Sequence, residues 1–113
     1  MIEPQIVSII SSLVAGRVYP DTAPPRVAFP YIVYQQVGGK AVNVLEAKPI
    51  NKKNARIQIM VWAKTRSEST TLIRSIEDRL VTELRAYVEG ASVSDFDFDS
   101  GLYGSRQDFS FWF

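Results

Sequence analysis

The sequence predicts a single α+β domain: one antiparallel sheet of about five strands with two helices packed on one face, in the order α-β-β-β-α-β-β. Three observations lead there. Apolar residues recur at helical spacing in two segments, Ile6, Ile9, Ile10, Leu13, Val14 and Leu72, Ile73, Ile76, Leu80, Leu84. The segment ARIQIMVWA alternates strictly between an apolar face (Ala55, Ile57, Ile59, Val61, Ala63) and a mixed one (Arg56, Gln58, Met60, Trp62). A chain of 113 residues, 46% hydrophobic and 22% charged, can bury one core and is too short for two, so residues 1–113 are expected to form one domain.

The first helix is expected from Pro4, which suits a first turn where its missing N–H costs nothing, to Ala15, with Gly16 as its stop. Its sequence, IVSIISSLVAG, has the look of a signal-peptide core, but Glu3 stands where a basic leader belongs and Ser8, Ser11 and Ser12 interrupt it. No apolar run approaches the roughly 20 residues that span a bilayer. A soluble protein made in the cytoplasm, with no membrane contact, is the expectation.

RVYPDTAPPRVAFP holds four of the six prolines and reads as an extended surface connector. YIVYQQV is strand-like, Gly38-Gly39 breaks it, and AVNVL is its expected hairpin partner. EAKPINKKN reads as a polar, basic, mobile loop, and ARIQIMVWA follows as the clearest strand. Thr65 and Glu68 have the spacing of a capping box at the start of the second helix, which Gly90 is expected to end after an apolar stripe reaching Tyr87. On its surface Arg74–Asp78, Arg79–Glu83 and Arg85–Glu89 are spaced for i,i+4 pairs in the weaker orientation. The chain ends in a hairpin, SVSDFDFD, a turn region with Gly101 and Gly104, and RQDFSFWF.

The chain has neither cysteine nor histidine. Disulfides, thiolate chemistry, Ser-His-Asp and Cys-His catalysis and the usual zinc sites are thereby excluded. What remains is the D-x-D-x-D run, Asp95, Asp97 and Asp99. As a calcium loop beginning at Asp95 it has Ser100 at the glycine position and Arg106 at the bidentate glutamate position, so both requirements fail. Alternate carboxylates on a strand sit about 7 Å apart, within the reach of a glycosidase pair, but no other residues build a sugar pocket. The better reading is a strand with Phe96 and Phe98 turned inward and the carboxylates outward, since burying an unpaired aspartate costs more than burying a phenylalanine yields. Gly38-Gly39-Lys40 lacks the remaining parts of a phosphate loop, and Ser105 lacks the spacing of a nucleophile elbow. Tyr31, Tyr34 and Trp62 near a basic loop raise a nucleic-acid platform, but Tyr31 and Tyr34 fall on opposite faces and no RNP motif is present. No cofactor is expected.

Charge is unevenly spread. From Gly38 to Arg66 seven basic residues (Lys40, Lys48, Lys52, Lys53, Arg56, Lys64, Arg66) stand against Glu46 alone. From Ala91 to Phe113 four aspartates stand against Arg106 alone. Such a chain is suited to stack head to tail on copies of itself, or else its charges simply solvate separate surfaces.

The run YPDTAPPRVAFPYIVYQQVGG, then VNVL, then ARIQIMVWAKTRSESTTLIRSIEDRL, resembles the tail completion (tail terminator) proteins of long-tailed bacteriophages and prophages. The matching pieces are Val18-Tyr19-Pro20, Pro30 to Tyr34, and Gln58 to Ala63 followed by a capped helix, and the resemblance covers roughly residues 17–113. It implies a non-enzymatic virion part, made in the host cytoplasm. Such a part forms a ring at the head-proximal end of the tail tube, stops its growth and meets the head–tail neck. Its implied partners are itself, the tail tube protein and a neck protein, with DNA only as cargo through the channel. No catalytic residue is carried over.

Within that resemblance the expected subunit interface comprises Lys48, Lys52, Lys53 and Arg56, the outward stripe Asp95, Asp97 and Asp99, and Trp112. Trp112 lies opposite the Phe109, Phe111, Phe113 face and is either an interface anchor or tucked under a loop. The loop from Lys40 to Asn54 is expected to be poorly ordered in a monomer and to order in the ring. A head-closure or neck protein, and a small nucleic-acid-binding domain with salt-dependent affinity, stay open as alternatives.

Overall fold

The computed structural model describes residues 2–41 and 52–113. AVNVL beyond Ala41, and the part of the basic loop that contains Lys48, lie outside them. The expected class holds: two helices pack on one face of a mostly antiparallel, six-stranded sheet.

Helix α1 spans Glu3–Ile10 and tightens into a 3₁₀ turn at Ser11–Val14, so the expected single helix to Ala15 is two pieces. Ala15 and Gly16 both take positive φ, and the Gly16 N–H closes the end by donating to the Ser11 carbonyl at 2.8 Å. Ile2, Ile6, Ile10 and Val14 form its buried stripe.

The proline-rich connector is not wholly irregular. Val18–Pro20 forms a strand, β1, running parallel to β2 (Tyr31–Gln36). Pro20 is tolerated because β1 is the sheet edge, where no neighbour requires its missing N–H. β2 pairs antiparallel with β3 (Asn54–Ala63), and β3 with β6 (Leu102–Trp112) through the register Asn54↔Trp112 to Ala63↔Tyr103. β4 (Tyr87–Val88) and β5 (Val93–Asp97) share the far side of β6. Gly104, expected in the turn, lies inside β6 directly opposite Trp62. A Cβ there would come within 2.8–3.1 Å of the Trp62 ring, so the indole lies over the one residue that leaves it room.

Helix α2 spans Arg66–Leu84. The Thr65 hydroxyl accepts from the Glu68 N–H at 3.1 Å, as the T-x-x-E spacing predicts, a cap worth about 1 kcal/mol. The helix ends before Gly90: Arg85 turns left-handed at φ 53°, and Tyr87–Val88 leave to pair with Ser110 and Phe109. Tyr87 is therefore exposed rather than part of the apolar stripe. Arg85–Glu89 thus falls outside the helix, and among the described residues the expected i,i+4 ion pairs do not form. Arg79 instead donates to the Ile9 carbonyl at 3.1 Å and to the Ser12 hydroxyl at 2.8 Å, tying α2 to α1.

The core lies between this helix layer and the apolar sheet face: Ile57, Ile59, Val61, Phe109 and Phe111 meet Ile6, Ile10, Ile73, Ile76 and Leu80. Each such side chain, fully buried, contributes about 1.5–3 kcal/mol. Polar groups that enter this layer are satisfied: Ser69 and Ser105 share a hydrogen bond at 2.7 Å, and Gln107 donates to Glu77 at 2.8 Å and to the Gly90 carbonyl at 2.9 Å. Among the described residues no helix is long and apolar enough to cross a membrane.

Candidate functional site

The helices cover one face of the sheet, and the other carries side chains suited to contact. Because opposed residues in an antiparallel pair share a face, the register lines up Tyr31, Trp62, Gly104 and Asp95, then Val33, Met60, Arg106 and Val93. Gln35, Gln58 and Asp108 form the next row, and Arg56, Ser110 and Tyr87 the one after it. Residues Asp21 to Pro24 fold against the first rows and leave a cleft of about 360 Å³ over Tyr31, Met60 and Trp62. No ionisable residue apart from Asp21 and Tyr31 lines it, and no nucleophile–base pair forms there.

The second feature is the tip of the β5–β6 hairpin. The alternation puts aspartates on one side and phenylalanines on the other, as the sequence indicates, yet the phenylalanines are not buried. Phe96 is 36% exposed and Phe98 90%. The reason is the length of the helix layer: α2 begins at Arg66, and the hairpin beyond Gly104 has no helix above it. Phe96 packs instead on Tyr103, with ring centres 4.9 Å apart, and Phe98 stands edge-on to Phe96 at 5.0 Å.

Arg66 braces this tier. Its guanidinium donates to the carbonyls of Gly104 and Asp95, each at 2.5 Å, and its carbon lies 5.4 Å from the Tyr103 ring centre. No sequence signal marks Arg66 for this role, since a basic residue opening a helix reads as a solvated charge. Phe96 and Phe98 were visible as an alternating pair, but their exposure was not.

The expected interface residues that lie among the described ones, which Lys48 does not, fall into two groups at opposite ends of the β3–β6 ladder. Lys52 and Lys53 are exposed beside Asn54, and Lys53 continues the ladder by exchanging backbone hydrogen bonds with Phe113 at 2.7 and 2.9 Å. Trp112, opposite Asn54, is 39% exposed, and Phe113 is 42% exposed, so only Phe109 and Phe111 of that aromatic series fill the core. Arg56 is already engaged in its own chain, 2.8 Å from Asp108 and 3.9 Å from Glu89.

Asp95, Asp97 and Asp99 sit at the other end and build the turn. The Asp95 carboxylate accepts from the Phe96 N–H at 2.8 Å. Asp97 accepts from the Ser100 hydroxyl at 2.7 Å and the Asp99 N–H at 3.3 Å, while the Gly101 N–H donates to its carbonyl at 2.8 Å. Two of the three carboxylates thus hold their own backbone, in place of a wholly free acidic stripe.

Among the described residues the sheet face away from the helices carries exposed side chains and an aromatic tip projects at one end, surfaces suited to contacts. The family model described as Tail completion protein gp17 matches residues 7–112. The chain belongs to that family. No curated protein matches it. Membership implies a component of the phage tail that works against other virion proteins, and the matched span runs from within α1 through both ends of the β3–β6 ladder. The sequence resemblance began near residue 17; the family match extends into the first helix.

In this family member the Asp97 carboxylate accepts the hydrogen bonds that cross the turn at the hairpin tip. The Ser100 hydroxyl, foremost, and the Asp99 and Ser100 N–H groups hold its pKa below the ordinary 3.8, against a smaller opposing effect of desolvation. A depressed folded-state pKa means that its stabilisation is complete above the unfolded value and is lost as pH falls through the folded one. Amide resonances of Asp99 and Gly101 are expected to hold steady from pH 7 to about 5 and to move at lower pH with a midpoint below 3.8. In Asp97→Ala they should be displaced at every pH; a wild-type pattern in that variant would show that the carboxylate does not organise the turn.

Proposed function

We propose that the protein is a non-catalytic tail completion part. It assembles as a ring on the head-proximal end of the tail tube, ends tube growth and offers a surface to the neck, with DNA passing only as cargo. The observation that supports this most is the family match across residues 7–112. It is also supported by the architecture, in which, among the described residues, the helices close one face of the sheet and much of the other stays accessible to neighbours. Self-association through the lysine-bearing end and the aspartate-bearing end belongs to the same proposal, with Lys48, Lys52, Lys53, Asp95, Asp97, Asp99 and Trp112 as its interface residues. Arg56 serves that interface by shaping it rather than as an unpaired cation.

Electron microscopy of the protein mixed with phage tail tubes tests the reading. Rings, and density capping one end of each tube, are expected. Binding to heads while tubes stay bare would favour a neck position. Neither rings nor caps, together with DNA binding that weakens steeply with salt, would replace the tail reading by a nucleic-acid-binding one.

A further inference from the structure

The two ends of the β3–β6 ladder are complementary in charge and apolar surface and cannot meet within one molecule. Ten registered pairs separate them, about 30 Å of strand. At one end Phe98 projects from the hairpin beside Asp95, Asp97 and Asp99, none of which has an ion-pair partner among the described residues. At the other, Lys40, Lys52 and Lys53 are exposed and likewise without an ion pair among the described residues. A cleft of about 360 Å³ opens there between Val37–Lys40 and Asn54–Arg56, with Ser110 and Glu89 also lining it, the Glu89 carboxylate 3.9 Å from the Arg56 guanidinium that offsets its charge. Its walls are held together by the Asn54 side chain, whose oxygen accepts from the Lys40 N–H at 2.7 Å and whose amide nitrogen donates to the Ser110 hydroxyl at 2.8 Å. Gly39 passes so close to the Asn54 backbone that a side chain there has no room.

Resting on the ring reading above, we infer that Phe98 of one copy seats in the Lys40–Asn54 cleft of the next, with the tip aspartates against that copy's lysines. A second copy is the occupant because the charges dictate the pairing. Tip against tip would bring three carboxylates onto three, and lysine end against lysine end three ammonium groups onto three. Tip against cleft joins opposite charges and places an uncovered aromatic in a bounded site, the arrangement of an interface anchor. Since the two surfaces differ, the contact is heterologous and propagates from copy to copy, as a closed ring requires and a two-fold dimer does not.

The absence of cysteine makes the test site-specific. Two single-cysteine proteins that keep the Phe98 anchor, Asp99→Cys and Lys40→Cys, are mixed and assembled on tail tubes under mild oxidation. A disulfide-linked heterodimer is expected from the mixture and not from either protein alone, and the doubly substituted chain should give a ladder of linked oligomers. Phe98→Ser should melt as the wild type does, because the side chain lies in solvent, yet lose ring formation at least tenfold in protein concentration. If tubes are capped but no mixed disulfide forms and Phe98→Ser assembles normally, this contact is wrong while the ring reading stands. If wild-type protein neither forms rings nor caps tubes, both fall.

Discussion

Phe109→Ala is expected to lower the unfolding free energy by about 3–5 kcal/mol, the usual cost of truncating a fully enclosed phenylalanine. Phe109 is 0% exposed, pairs across the sheet with Ile57, and is flanked on its other side by Val88. It thus joins the long β3–β6 ladder to β4 under the helix layer. The lost methylene and ring contacts leave a cavity that sheet and helices, held by Ser69–Ser105 and Glu77–Gln107, cannot collapse to fill. Against a total stability of roughly 5–15 kcal/mol for a domain this size, that is a large fraction, and a fall of roughly 15 °C in Tm should follow. Urea titration measures it directly. A loss below about 1 kcal/mol would mean that the core repacks around the gap, and Phe109→Leu, which keeps most of the volume, should cost much less.

Arg66→Ala is the second large effect, and it is local. The side chain makes two hydrogen bonds to backbone carbonyls on adjacent strands and lies against Tyr103. Charged hydrogen bonds of this kind are worth about 1.5–3 kcal/mol each when well shielded, and less here because the site is half-exposed. We expect about 2–3 kcal/mol in the opening of β5, read as faster amide exchange through Val93–Asp97, with a smaller change in global melting. Arg66→Lys should recover little, since a single ammonium cannot bridge two carbonyls and stack on a ring at once. Unchanged exchange in β5 would remove Arg66 from this role. If the tip is the assembly element, the Ala variant should also assemble poorly although Phe98 is intact.

Sequence pattern and structure part where the helix layer stops, short of the β5–β6 tip. Period-two alternation in Ala55–Ala63 and period-3.6 spacing in the two helical segments depend only on which residues the chain must hide. They identified Ile57, Ile59, Val61, Ile73, Ile76 and Leu80 correctly, and all six are essentially inaccessible. The Thr65 cap is equally local, because hydroxyl and N–H lie within one turn. The alternation of Asp95 to Phe98 was also read correctly, but its consequence was not: a pattern fixes which residues share a face and is silent on whether anything covers that face. Likewise the spacing of Arg79 and Glu83 allowed an ion pair, while the approach of α1 offered Arg79 a carbonyl and a hydroxyl instead.

The missed strands β1 and β4 belong to the same class of error. Each is short, and each exists because a neighbouring strand, β2 or β6, supplies hydrogen-bond partners distant in sequence. Sequence by itself determined the fold class, most of the core and the absence of cysteine and histidine chemistry, since these follow from composition, periodicity and order along the chain, while the family rests on likeness to other tail completion proteins. Tertiary structure alone decided which aromatics stay in solvent, which charges are already paired among the described residues, and that the exposed lysines and the tip aspartates stand at opposite ends of the β3–β6 ladder. Those properties depend on the reach of a helix over a sheet, and that is set by packing between segments far apart in the chain.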